Sequence, residues 1–185
     1  QISAMETMPT HKQAPMIVND FSITVATVNG SGSQTSNLTI MRALFKMGIP
    51  VSGKNIFPSN IQGLPTWYTI RINEDGHIAR REEHEIVVAL NPATFIQDQA
   101  QVITGGVFLY DDSIKQPINR NDIYQYPMPI KQLVREAGAP SNLRDYIANM
   151  VYVGILAQLL QIDMDKIYQA LHFHFKGKQK AIDMN

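Results

Sequence analysis

Residues 21–47 read FSITVATVNGSGSQTSNLTIMRALFKM. Phe21–Val28 is rich in β-branched side chains, which suit a pleated strand, and it stops at Asn29-Gly30, a turn signal. Gly30–Gln34 reads as loop. From Thr35 to Met47, the residues Leu38, Met41, Leu44 and Phe45 recur near helical spacing, and Gly48 closes the segment as a C-cap. A strand, a glycine loop and a helix in that order open an α/β unit.

The rest of the chain repeats the alternation. Pro50–Phe57 and Trp67–Ile72 read as strands, with Asn73-Glu74-Asp75-Gly76 as a hairpin turn after the second. His84–Leu90 is the most strand-like apolar run, and Asn91-Pro92 opens a short helix. Val102–Tyr110 is a further strand in which Gly105-Gly106 signals a bulge or a close backbone approach. Ile123–Met128 reads as an edge strand, because Pro127 and Pro129 cannot donate to a ladder. Leu143–Leu160 is the strongest helix. It carries two apolar stripes, so it belongs inside the domain or between domains. A short helix from Asp165 to about Phe173 precedes a basic tail. The fold class expected is α/β, a three-layer Rossmann-like domain with a largely parallel sheet. Residues 1–19 are read as a flexible lead-in and 20–185 as the domain.

Composition bounds what this domain does. The 185 residues are 44% hydrophobic and 17% charged, which excludes an intrinsically disordered chain. Lys+Arg 16 balances Asp+Glu 16, so no basic excess is available to grip a nucleic-acid backbone. The cysteine count is 0, which leaves no thiolate for an iron–sulfur cluster, a zinc site or a covalent intermediate. Residues 1–20 lack the apolar core, about 7–15 residues long, of a signal peptide. The apolar run from Asp145 to Asp163 is broken by Asn149, Gln158 and Gln161, so it reads as a buried helix rather than a span. No membrane partner is expected, and a cytoplasmic location is.

Few residues offer chemistry. The loop Gly30-Ser31-Gly32-Ser33-Gln34-Thr35 follows a strand and opens a helix, where free N–H groups and the helix dipole favour an anion. Ser33 and Thr35 are the candidate N-caps. The loop lacks the third glycine of G-x-G-x-x-G and the lysine of a P-loop, so a phosphate cradle and a plain strand-to-helix turn both stand. The stretch Phe57–Tyr68 holds the only tryptophan, and it reads either as a ligand or partner contact or as a loop packed on its own domain. Asn149, an amide on an apolar helix, is either a satisfied core group or one facing a ligand cleft or subunit seam. Asp111-Asp112 follows a strand and reads as turn punctuation, with a cation contact as the alternative. His172 and His174 have no third ligand near them in sequence. No catalytic acid or base and no metal set is assigned.

GSGSQTSNLTIMRALFKMGIPVSGKNIFPSNIQGLPTWYTIRI, residues 30–72, resembles the γ domain of 2-oxoacid:ferredoxin oxidoreductases, in particular 2-oxoglutarate and broad 2-oxoacid members with that domain fused ahead of the α domain. Glu85–Pro92 and Asn149–Gly154 resemble the family's later strand and core helix. Many members carry one more glycine near where Ser33 stands. The resemblance implies a component of an enzyme that decarboxylates a 2-oxoacid on thiamine diphosphate, passes electrons through iron–sulfur clusters to ferredoxin, and releases an acyl-CoA. It places thiamine diphosphate and the clusters on α and β partner domains or other subunits. It gives this domain a role in assembly and, with Gly30–Thr35 as the best candidates and Asn60, Gln62 and Arg71 as further ones, a place on the coenzyme A side of the active site. The chain alone is expected to lack turnover. A free-standing Rossmann-type nucleotide-binding module and a pure subunit-assembly domain are the alternatives.

Overall fold

The computed structural model describes residues 20–28, 30–56, 63–73, 83–162, 165–167 and 169. The first run forms strand β1 (Asp20–Val28), and helix α1 (Ser33–Lys46) follows it. Then come β2 (Val51–Ile56), β3 (Pro65–Asn73), β4 (His84–Ala89), α2 (Phe95–Ala100), β5 (Val102–Asp111), β6 (Tyr124–Met128), α3 (Ile130–Glu136) and α4 (Arg144–Leu159).

All six strands join one sheet in the order β2-β3-β1-β4-β5-β6. β1, β4, β5 and β6 run parallel, while β2 and β3 form an antiparallel pair whose inner strand lies antiparallel to β1. The sheet is therefore largely parallel, with an antiparallel hairpin closing one side. The hairpin is β2–β3 and not the pair around Asn73–Gly76. β1 lies between β3 and β4, so those two strands do not pair, and residues 74–76 of the expected turn lie outside the described residues. Partner choice is set by which strand faces complete a core.

Two cores make three layers. On one face, Ile23 and Val25 of β1, Tyr68, Ile70 and Ile72 of β3 and Ile86 and Val88 of β4 pack under Ile40, Ala43 and Leu44 of α1 and Tyr152, Val153 and Leu156 of α4. On the other, Val87, Ala89 and Phe108 pack with Phe95, Ile114 and Ile123. Phe95, Phe108 and Tyr110 meet in edge and stacked contacts with centroids 5.4–5.8 Å apart, a geometry aromatic rings favour. β6 lies at the sheet edge, where prolines are tolerated. Gly48, at φ +77°, ends α1 in the left-handed conformation expected of a C-cap glycine.

Tyr152 ties the helical layer together. It is fully buried, and its hydroxyl lies 3.0 Å from Asn37 Oδ1 and 3.3 Å from the Ser33 carbonyl, to which it donates. Burial pushes its phenol well above the ordinary tyrosine range, so it stays a donor at any physiological pH. Tyr152→Phe is expected to cost about 1–2 kcal/mol, since it strips the donor from two buried oxygens. Urea denaturation reads this directly, and an unchanged midpoint would mean that the bond adds nothing.

Candidate functional site

The chain leaves β1 through α1 on one face of the sheet and turns toward β2–β3. It leaves β4 through Pro92–Ala100 on the other face and turns toward β5–β6. The adjacent carboxyl ends of β1 and β4 are thus a topological switch point, where open α/β sheets leave a crevice. A cavity of about 130 Å³ lies there. Thr27 and Val28 of β1, Leu90 after β4 and Asp111 at the end of β5 line its base, and Ser31 forms one wall. Ile130 of α3 and Asp145, Ala148 and Asn149 of α4 form the opposite wall.

The glycine loop is built by its backbone. Gly30 has φ +87° and Gly32 φ +78°, left-handed conformations that other residues adopt at a cost. The Ser31 N–H donates to the Val28 carbonyl at 3.2 Å, which closes the bend. Gly32 is the N-cap of α1, and no side chain caps the helix. The expectation that Ser33 or Thr35 would do so is corrected. Ser33 already lies in the helix and is buried, its hydroxyl 2.8 Å from that of Thr27, while Thr35 sits a turn too far in, its carbonyl accepting from Thr39 Oγ1.

Asn149 resolves into both of its readings at once. Its Nδ2 donates to the Ser31 carbonyl at 2.7 Å, so the amide is satisfied, and the same residue lines the crevice. A Cβ added at Gly32 would stand 3.5 Å from that nitrogen. Asn91 does related work below the loop. Its Nδ2 donates to the Thr27 carbonyl at 3.3 Å, and its Oδ1 accepts from the Ala93 N–H that opens the next helical turn.

Of the residues singled out in sequence, Ser31 lines the crevice, and Gly30, Gly32 and Ser33 shape the bend beside it. Gln34 is exposed on the first turn of α1 and Thr35 half-buried next to it. Arg71 does not join them. It pairs with Ser22 in β3, six positions along the register from Val28, which is roughly 20 Å at about 3.3 Å per residue. Proximity in sequence to the Phe57–Tyr68 stretch does not bring it to the crevice. Asn60 and Gln62 lie outside the described residues, as do His172 and His174. Trp67 belongs to β3, and its indole N–H donates to Asp98 Oδ1 at 2.9 Å, so the tryptophan serves its own domain. The sequence reading passed over Asp145 and took Asp111 for a turn residue. Asp111 does accept from the Ser113 N–H at 2.9 Å, yet as the last residue of a parallel strand it also reaches the crevice. Its position at a strand's carboxyl end was the available signal.

Among the described residues no group of three or more His, Asp or Glu could hold a metal ion, and no helix is long and apolar enough to cross a membrane. An iron–sulfur cluster does not fit this chain, whose sequence has no cysteine to ligate one.

Fold and crevice together define a doubly wound α/β domain with a cleft at its switch point. The chain belongs to the pyruvate ferredoxin/flavodoxin oxidoreductase family, whose model matches residues 22–185. Among curated relatives, it is 20% identical to the alpha subunit of 2-oxoacid:ferredoxin oxidoreductase 2 of Aeropyrum pernix, over 90% of this chain and 32% of that protein. It is 25% identical to the ketoisovalerate oxidoreductase subunit VorA of Methanothermobacter thermautotrophicus, over 88% of this chain and 34% of that one. The chain thus spans about a third of the length of these relatives. Two solved structures share the fold. The 2-oxoglutarate:ferredoxin oxidoreductase from Magnetococcus marinus, solved with 2-oxoglutarate, coenzyme A and succinyl-CoA bound, superposes with a TM-score of 0.75 at 23% identity, covering 90% of this chain and 30% of that one. The pyruvate oxidoreductase subunit PORC from Thermotoga maritima gives 0.65 at 17% identity, covering 89% and 90%.

Proposed function

We propose that this chain is the γ domain of a 2-oxoacid:ferredoxin oxidoreductase, an enzyme that oxidatively decarboxylates a 2-oxoacid such as 2-oxoglutarate to an acyl-CoA and reduces ferredoxin. The observation that carries the reading is the family match over residues 22–185, on a fold with a crevice at its switch point. In this reading α and β domains or subunits bring thiamine diphosphate and the iron–sulfur clusters, and this domain supports the assembly and forms one wall of the coenzyme A side. Gly30–Thr35 supplies that wall. Asn149 holds its shape by fixing the Ser31 carbonyl. Thiamine diphosphate and the clusters supply the decarboxylation and the electron path when bound, and this chain's own groups bind and orient.

The test is reconstitution with the partner subunits. Acyl-CoA formation coupled to ferredoxin reduction is expected only when this chain is present, and none from the chain alone. Asn149→Ala is expected to raise KM for coenzyme A roughly 5–10-fold, the cost of about one hydrogen bond, with kcat changed less than about twofold. A complex that turns over equally well without the chain would refute the assignment. Full activity with an unchanged KM in the variant would instead favour a pure assembly domain. Tight binding of a dinucleotide to the chain alone would favour a free-standing Rossmann module.

A further inference from the structure

The bend from β1 into α1 is held by its carbonyls. The Val28 oxygen accepts from the Ser31 N–H at 3.2 Å inside the bend. The Ser31 and Ser33 oxygens accept from Asn149 Nδ2 at 2.7 Å and from the Tyr152 hydroxyl at 3.3 Å. Both donors belong to α4, which packs on the first face of the sheet. The Thr27 oxygen accepts from Asn91 Nδ2 at 3.3 Å, and Asn91 opens the Pro92–Ala100 connection across the other face. The bend is therefore tied from both layers, and Asn91 carries the tie from the second. The β1–β4 ladder explains why a side chain does this work. The two strands pair in parallel up to Ala26 and Ala89, and the Leu90 N–H makes one more bond, to the Ala26 carbonyl at 2.9 Å. Alternate residues donate to one neighbour in a parallel ladder, so the next donor would be residue 92. That residue is proline, which has no N–H. The ladder stops, and the buried Asn91 amide supplies a tie beyond it. Its two ends have different partners. Oδ1 accepts from the Ala93 N–H at 3.0 Å and caps the following turn. Nδ2 holds Thr27, whose hydroxyl lies 2.8 Å from that of Ser33 in the first turn of α1.

We propose that Asn91 is a positioning residue for the glycine bend, fixing the shape of Gly30–Thr35 through the Thr27 carbonyl. This rests on the reading of that bend as a wall of the coenzyme A side. It adds a residue that acts from behind the wall, since Asn91 is buried and is not among the described residues lining the crevice. A bend ordered in advance has less conformational freedom to lose on binding. Loosening it therefore weakens the hold on coenzyme A and leaves chemistry on the partner domains alone.

Two substitutions separate the ends of the amide. Asn91→Ser keeps a capping oxygen for the Ala93 N–H but is too short to reach the Thr27 carbonyl, and Asn91→Ala loses both. In the complex reconstituted with its partner subunits, each is expected to raise KM for coenzyme A roughly 3–5-fold, as for one modest hydrogen bond. The value of kcat is expected to change less than about twofold and KM for the 2-oxoacid not at all. Hydrogen exchange is expected to quicken in the peptide spanning residues 27–35 in both variants, and in residues 92–100 only in Asn91→Ala. If Asn91→Ser leaves KM and the exchange of residues 27–35 at parental values, Asn91 is a cap for the following turn and the proposal falls. A rise in both KM values together would overturn it too, as a general loss of structure. Asn149→Ala, measured alongside, distinguishes this proposal from the reading beneath it. If that variant raises KM for coenzyme A and the Asn91 variants do not, the proposal alone falls. If none of the three raises it, the coenzyme A reading falls, and this proposal falls with it.

Discussion

Asp98→Asn is expected to make the protein more stable at pH 7.5, by about 1–2 kcal/mol, and no more stable than the parent at pH 4. Asp98 is wholly buried under the sheet. Burial raises its pKa from 3.8 to about 6, against the opposing pull of hydrogen bonds from Thr94 Oγ1 and Trp67 Nε1. The folded state therefore binds this proton more tightly than the unfolded chain does. The stability linked to it is fully present below about pH 4 and is lost as the pH rises through about 6. A shift of this size corresponds to about 3 kcal/mol at most. Asparagine removes the ionisation and keeps an oxygen for the indole, hence the smaller gain expected. The difference between parent and variant, measured by urea denaturation at several pH values, isolates this group from every other carboxylate. Trp67 is the only tryptophan, so its emission should titrate with a midpoint near pH 6 in the parent and not in the variant. An equal stability difference at pH 4 and 7.5 would mean that Asp98 does not titrate in this range.

Trp67 and Asp98 also show where reading the sequence stops. Helices and strands were legible because periodicity and turn chemistry are local. β1, β4 and α4 lie within one or two residues of their expected limits. The glycine bend was legible for the same reason, since two positive-φ glycines before a helix carry their own signature. What joins elements was not. That Trp67 on β3 would reach Asp98 on α2, that Asn149 would reach back 118 residues to the Ser31 carbonyl, and that Asp111 and Asp145 would share a cleft all follow from strand order. Strand order depends on which faces complete a core rather than on any one segment. Arg71 lies away from the crevice for this reason. Its neighbours in sequence are near the expected site, but along an extended strand six residues are enough to cross the sheet. The crevice lining was hidden in the same way, because five separate segments contribute to it.

Gly105 and Gly106 separate two reasons for using glycine, and the larger effect belongs to the one with the ordinary backbone. Gly105 has φ +79°, but a Cβ there would meet nothing within 4 Å. Gly105→Ala is therefore expected to cost about 1 kcal/mol, the strain of a left-handed residue. At Gly106 a Cβ would stand 2.8 Å from the Glu85 carbonyl oxygen, 2.8 Å from Val102 Cγ1 and 3.0 Å from the Ile103 carbonyl oxygen. Two of the three are backbone atoms, which cannot rotate aside. The Glu85 backbone is also held from the other side. β4 shifts register against β5 between His84 and Ile86, and the Glu85 carboxylate accepts from the Ser22 N–H at 2.6 Å. The Ser22 hydroxyl in turn lies 2.8 Å from His84 Nδ1. Pushing Glu85 away from β5 would load the attachment of β4 to β1 at the amino ends of the two strands. Gly106→Ala is expected to cost about 3 kcal/mol, at the upper end for overpacking, and to lower Tm several times more than Gly105→Ala does. Thermal unfolding of the two variants side by side decides the point. If Gly105→Ala proved the more damaging, backbone conformation rather than close approach would be what the pair of glycines serves, and the β4–β5 contact would have slack that these distances do not allow.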